Sequence, residues 1–195
     1  GMRIVGGRWR SHPLEAPQGR DVTRPTTDRL RESIASMLLS AFCLDLSDVS
    51  VLDAFAGSGA VGLELLSRGA LRCTFVERDR RAAARVRRNC ESVGASPEEA
   101  RVVCADALSL ARKGTLAGGP FALVVLDPPY ALEASAVARM VEDLDAHGLL
   151  APGALVLYEH DRRRASLPLA RMRTVKERTH GITTVTLLGR GGTDE

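Results

Sequence analysis

The chain has 195 residues and 20.9 kDa, with 45% apolar residues, 26% charged residues and a formal charge of +3. That length supports one ordinary domain whose core needs no disulfide or metal staple, and the composition excludes disordered, fibrous and membrane-spanning classes. The charge is uneven: residues 1–31 hold seven arginines against three acids, a net +4, while the remainder carries 20 basic and 21 acidic groups, a net −1.

In chain order, residues 2–25 are punctuated by Gly6, Gly7, Pro13, Pro17, Gly19 and Pro25. Strand-like pieces around Arg3–Val5 and Arg8–Arg10 predict a small basic hairpin or extended arm over residues 1–25, too poor in apolar side chains to fold alone. Residues 26–195 then read as the main domain. Leu30, Ile34, Met37, Leu38 and Ala41 mark an amphipathic helix that docks on it. A first strand at Val51–Leu52 ends on Asp53 and leads through a glycine-rich turn into a helix, Val61–Leu66, closed by Gly69. Leu71–Glu77 is a second strand and Asp79–Val93 a helix; the arginines at 78, 80, 81, 85, 87 and 88, just before and along it, read as a solvated helix face. A third strand, Arg101–Cys104, precedes a short helix, Ala107–Arg112, stopped by Gly114. Phe121–Leu126 is continuously apolar, the pattern of a strand covered on both faces. Glu133–Leu144 is helical, with Val137, Met140, Val141 and Leu144 on one stripe. Ala154–Tyr158, Met172–Arg178 and Ile182–Leu188 complete the strands, the last two too close for anything but a hairpin around Gly181. The expected fold is α/β: a doubly wound, Rossmann-like, mostly parallel seven-stranded sheet with one antiparallel strand at its edge.

Two motifs carry chemistry. Gly57, Gly59 and Gly62 spell GxGxxG after Asp53, and Glu77 follows Gly57 by 20 residues at the end of the second strand. Glycines admit close backbone approach of a ligand, and the acid suits ribose hydroxyls, so NAD and S-adenosylmethionine both fit. Asp53 favours the latter, whose cationic amino-acid end needs acceptors; the missing GK[ST] excludes a P-loop. The second motif is Asp127-Pro128-Pro129-Tyr130, directly after the most apolar strand. An exocyclic nucleobase amine is a weak nucleophile because its lone pair is delocalised into the ring. A carboxylate and a proline carbonyl accepting its two N–H bonds orient that lone pair for in-line attack on a methyl, while the tyrosine offers a stacking face.

A third constellation is basic. Arg3, Arg8, Trp9 and Arg10, with Arg20, Arg24 and Arg29, suit phosphate pairing and base stacking. Arg162-Arg163-Arg164 lies in a loop after the fifth strand, open either to RNA or to solvent. The four cysteines form no CxxC pair, and three of them sit in apolar or helical patterns as small buried hydrophobes, as in a reduced cytoplasmic protein. No basic-then-apolar leader is seen, and the histidines lack metal-ligand spacing, so no metal is expected.

DAFAGSG, Glu77, Asp106 and DPPY together resemble the class I S-adenosylmethionine-dependent amino-methyltransferases. The segments MRIVGGRWRSHPL, RPTTDRLRESI, VLDAFAGSGAVGLELLSRGA and VVLDPPY narrow this: from Met2 to about Leu188 the chain resembles the RsmD family, the small-subunit rRNA (guanine-N2)-methyltransferases. The resemblance implies S-adenosylmethionine as cofactor, with Asp53, Gly57 and Gly59 around its methionine moiety. It implies Glu77 at the ribose with Arg78 among the contacts, Asp106 and Ala107 at the adenine, and Arg24 to Thr26 capping the pocket. Asp127, Pro128, Pro129 and Tyr130 would be catalytic, and the partner would be 16S rRNA or the assembling 30S subunit, bound by a monomer. Relatives often carry an aromatic before the glycine at Gly181, where this chain has His180. The alternatives are N6-adenine methylation of DNA or RNA, which the same loop serves, and, in a different class, an NAD-dependent oxidoreductase.

Overall fold

The computed structural model describes residues 1–17 and 26–190. Seven strands, β1 (Ser50–Asp53), β2 (Arg72–Glu77), β3 (Ala100–Cys104), β4 (Phe121–Leu126), β5 (Leu150–Asp161), β6 (Arg173–His180) and β7 (Thr183–Gly189), form one sheet in the order β3-β2-β1-β4-β5-β7-β6. The first five run parallel, and β7 is antiparallel to both neighbours, so the final hairpin folds back into the sheet and leaves β6 outermost. The expected antiparallel edge is present; within it, the reversed strand is the inner member of the hairpin.

Alternation along the strands divides the interior into two layers. Val51, Leu123, Val125 and Leu157 face helices α1 (Asp28–Ala41), α2 (Ala60–Ser67) and α3 (Arg80–Ser92). Leu52, Val124, Leu126 and Val156 face α4 (Ala107–Lys113) and α5 (Ala134–Ala146). The helix starts follow local chemistry: Thr27, Asp79 and Asp106 each accept a backbone N–H from the first turn of α1, α3 and α4, and α4 ends on left-handed Gly114. The fifth strand is longer than the apolar run Ala154–Tyr158 predicts, because it continues through a bulge near Gly153 and extends past Tyr158 to Asp161.

The N-terminal segment is a hairpin whose first arm falls at Arg3–Val5 as expected, but its second arm does not fall at Arg8–Arg10. Ile4 and Ser11–His12 exchange backbone hydrogen bonds, and Leu14 N–H donates to Met2, so the returning arm is 11–14. Residues 8–11 form the turn instead of a strand, as Arg10 N–H donates back to the Gly7 carbonyl. Ile4 and Leu14 are buried in the core beneath α1 and α2. Of the cysteines, Cys73 and Cys90 are buried, whereas Cys43 and Cys104 are exposed, one fewer buried than the patterning suggests. Cys43 lies in the left-handed turn that ends α1, outside its apolar stripe.

Candidate active site

The sheet reverses its winding between β1 and β4, and in such sheets a crevice opens at the carboxyl ends of the diverging strands. Acids gather there: Asp53 ends β1, Glu77 ends β2, Asp106 follows β3 and Asp127 follows β4. The register pairs Asp53 with Val125, and Ala54 N–H donates to the Val125 carbonyl at 3.1 Å, which brings Asp53 to the foot of the 127–130 loop. Asp53 is buried, with Gly62 N–H donating to Oδ2 at 3.3 Å. Burial pushes its carboxyl up to about 7; the Gly62 bond opposes this, and the charges of Asp127 and Glu77 add to it. A buried acid beside two further acids is an environment that a cation relieves.

Glu77 is committed at both oxygens to backbone amides: Oε1 accepts from Gly57 at 2.9 Å and Oε2 from Asp79 at 2.8 Å. It therefore shapes the glycine turn and fixes the start of α3, while each oxygen keeps a second lone pair for a ligand. A Cβ at Gly57, where φ is +62°, would meet nothing within 4 Å, so the loop faces open space there. Gly62 serves packing instead: a Cβ would lie 2.4 Å from Phe75 Cε2 and 2.8 Å from Cys73 Sγ, so its absence lets α2 lie close on β2. Asp106 caps α4 through Leu108 N–H at 3.1 Å, with Ala107 buried behind it, and Arg78 is exposed after β2. Thr26 is half-buried, and its Oγ1 is shielded without a hydrogen-bond partner among the described residues; Arg20, Arg24 and Pro25 fall outside those residues.

In the loop after β4, Pro128 is buried, Pro129 is exposed and Tyr130 is 62% exposed. The guanidinium of Arg164 lies 4.0 Å from the Tyr130 ring centroid, and its Nη1 donates to the Tyr130 carbonyl at 3.3 Å. Arg163 is held by Asp161 through Nε at 3.0 Å and Nη2 at 2.8 Å, a fork that keeps the Asp161 carboxyl well below its usual range. His180 reaches away from this loop: its Nε2 lies 3.0 Å from Ser33 Oγ, tying the β6–β7 turn to α1.

The arm is fastened through residues to which the sequence pattern gave no role. Glu64, buried inside the apolar run of α2, accepts from Val5 and Gly6 N–H at 2.9 Å each. Arg31, one of the seven arginines in the basic balance of residues 1–31, is fully buried; it donates to the Arg3 carbonyl, pairs with Asp28 at 2.8 Å and lies 3.5 Å from Glu64. Ser67 Oγ donates to Gly6 and accepts from Trp9 N–H. Asn89 is buried; its amide donates to Ser58 at 2.8 Å and to Glu15 at 3.1 Å, and accepts from Glu15 N–H at 2.8 Å. Arg88 pairs with the Glu15 carboxylate at 2.7 Å and Arg85 is buried, so the face of α3 read as solvated is partly spent on the arm and the core. Arg3 pairs with Asp28, and Arg8 pairs with Glu99 while lying 4.2 Å over Trp9. Arg10 and Arg29 are exposed.

The family model described as "Conserved hypothetical protein 95" matches residues 2–189. The ribosomal RNA small subunit methyltransferase D of Escherichia coli is 38% identical over 161 residues, 82% of this chain and 75% of that protein. The YlbH protein of Bacillus subtilis is 32% identical over 193 residues, 98% of this chain and all of its own length. The solved yhhF protein of Escherichia coli superposes with a TM-score of 0.79 at 32% identity, covering 98% of this chain and 99% of that one. The acids at the strand ends beside the switch point, the glycine turn and the loop at Asp127 thus sit in a chain matched along nearly its whole length, and the chain belongs to the RsmD family of methyltransferases.

Proposed function

We propose that the protein transfers a methyl group from S-adenosylmethionine to the exocyclic N2 amine of a guanine in 16S rRNA, acting as a cytoplasmic monomer on the RNA or the assembling 30S subunit. The observation that carries this is the adjacency of Asp53 and Asp127 at the switch point, one buried acid raised to about 7 beside a second on the rigid proline loop. The residues fit a cationic nucleoside cofactor: Gly57 faces open space, Glu77 keeps acceptor capacity, and Asp53 lies among like charges. When bound, the cofactor supplies an electrophilic methyl on a sulfonium.

The chain's own groups do the rest. Asp53 holds the amino-acid end with Gly57 and Gly59, and Glu77 takes the ribose hydroxyls with Arg78 near by. Asp106 and Ala107 receive the adenine, and Thr26, with Arg24, closes over it. The Asp127 carboxylate and Pro128 carbonyl accept the two N–H bonds of the target amine and turn its lone pair towards the methyl. Pro129 stiffens the loop, and Tyr130 stacks on the base. No strong general base is needed, because the amine proton becomes acidic only after methyl transfer. Arg3, Arg8, Trp9, Arg10, Arg20 and Arg29 form a docking face. The ion pairs of Arg3 and Arg8 are surface pairs worth about 0–1 kcal/mol, which phosphate can replace.

The test is incubation with labelled S-adenosylmethionine and either 30S particles or naked 16S rRNA from cells lacking the enzyme, followed by nucleoside analysis. Label in N2-methylguanosine is expected. Label in N6-methyladenosine would transfer the reading to the adenine amine, and absence of label from both substrates would overturn it.

A further inference from the structure

Three arginines at the end of β5 stand beside the loop of Asp127 on a scaffold built to hold them still. Arg162 N–H donates to the Ile182 carbonyl at 2.8 Å, which ties the segment to the β6–β7 turn. Arg164 N–H donates to the Asp161 carbonyl at 2.9 Å. The Asp161 carboxylate accepts from Arg163 three times, from the backbone N–H at 2.8 Å and from both arms of the guanidinium fork. All three arginine side chains are nevertheless exposed. Among the described residues, Arg162 makes no side-chain ion pair or hydrogen bond. One acid against three guanidiniums leaves a local charge of +2 next to two exposed large apolar side chains, Tyr130 at 62% and Ile182 at 63%. Guanidiniums interleaved with exposed aromatic and apolar surface are the composition of a single-stranded nucleic-acid face.

The contact between Arg164 and Tyr130 makes this specific. The guanidinium covers one face of the ring at 4.0 Å and is also bonded to the residue's carbonyl, so it fixes both ends of Tyr130 at once. The ring stays largely open otherwise, which leaves its second face for a planar ligand. The other basic cluster of this half of the chain, Arg171, Arg173 and Arg190, adjoins the start of β6. Because β6 runs in the same sense as β5, that cluster lies at the opposite end of the sheet from Asp53, Glu77 and Asp127.

We infer that residues 162–164 form a second RNA-contacting element: Arg162 takes a backbone phosphate flanking the target, and Arg164 is a positioning residue that holds Tyr130 as the middle layer of a guanidinium–tyrosine–base stack. This rests on the RNA substrate of the proposed function and adds residues beyond the arm that engage it.

The experiment measures binding and turnover separately. Full-length wild-type, Arg162→Ala, Arg164→Ala and Arg164→Lys proteins are titrated with a 16S rRNA transcript across a salt series, and methyl transfer and S-adenosylhomocysteine binding are followed in parallel. Arg162→Ala should weaken RNA binding by about tenfold and reduce the slope of log affinity against log salt by roughly 0.7–0.9, the share of one phosphate contact. Arg164→Lys keeps the charge but not the planar stack, so RNA affinity should hold within about threefold while kcat falls by about tenfold. Arg164→Ala should lose both. S-adenosylhomocysteine affinity should not change in any variant, which separates the effect from misfolding. Unchanged RNA affinity, salt slope and kcat across the three variants would overturn the assignment. Wild-type protein that binds the transcript but methylates neither it nor 30S particles would instead count against the proposed reaction, and the binding arm would still decide the loop.

Discussion

The side-chain amide of Asn89, buried on α3, donates to the carbonyl of Ser58 at 2.8 Å, in the middle of the glycine turn. The same amide exchanges two hydrogen bonds with Glu15, so one residue joins the end of the arm hairpin to the turn that begins α2. Replacing Asn89 by alanine strands the buried Ser58 carbonyl and removes both part-buried bonds to the Glu15 backbone. We expect a loss of roughly 2–4 kcal/mol in urea unfolding, together with weaker S-adenosylhomocysteine binding. An unchanged unfolding midpoint would remove Asn89 from this role.

Asp53 sets a pH dependence with a definite sign. Its carboxyl is raised to about 7 in the folded protein, above the ordinary value of 3.8. The stability this group contributes is present below the ordinary value and is lost as pH rises through about 7, where a proton must leave a buried site among acids. A shift of this size corresponds to roughly 4 kcal/mol as an upper figure. Asp53→Asn should therefore stabilise the ligand-free protein at pH 8 and flatten its stability between pH 5 and 8. A cationic cofactor selects the ionised form, so its affinity should rise with pH up to about 7 and then level off. Affinity that falls over that range would contradict the pairing.

Asp127→Ala should retain cofactor binding within about threefold and lose methyl transfer by a factor of 100 or more, roughly 3 kcal/mol of oriented, charge-assisted bonding. Calorimetry with S-adenosylhomocysteine and a single-turnover assay read the two quantities independently. Turnover within tenfold of wild type would show that another group orients the amine.

Charge reversal at Arg8 and Arg10 together tests the arm. RNA affinity should drop and its salt slope should flatten by about 1.4–1.8 if both side chains meet phosphate. Far-ultraviolet circular dichroism controls for loss of the hairpin. Unaltered binding would leave the arm as a structural element only.

The parallel core was legible because its strands are covered on both faces: Phe121–Leu126 has no polar residue to confuse the period. The glycine turn and the Asp127 loop were legible because their chemistry is local in sequence. The arm's second strand was misread because Arg8–Arg10 alternates like a strand yet turns, its geometry set by contacts with Ser67 nearly sixty residues away. Glu64 carried no readable role for the same reason: inside an apolar helical run it looks like a stray charge, and only Val5 and Gly6, brought in by the fold, give it one. The burial of Arg31 was not legible either, because burial of a guanidinium depends on partners that periodicity does not show.

Glu64 has a consequence for how such arms can be exchanged. Its two oxygens grip the arm's backbone, not its side chains, so the grip tolerates changes at Val5 and most changes along the hairpin's outer face. It does not tolerate transplantation: a hairpin moved to a scaffold lacking the acid on α2 and Arg31 on α1 would lose its hold and its angle together. Variation in RNA preference among such proteins should then accumulate in exposed arm residues such as Arg10, while grafts that succeed should carry Glu64 and Arg31 with them.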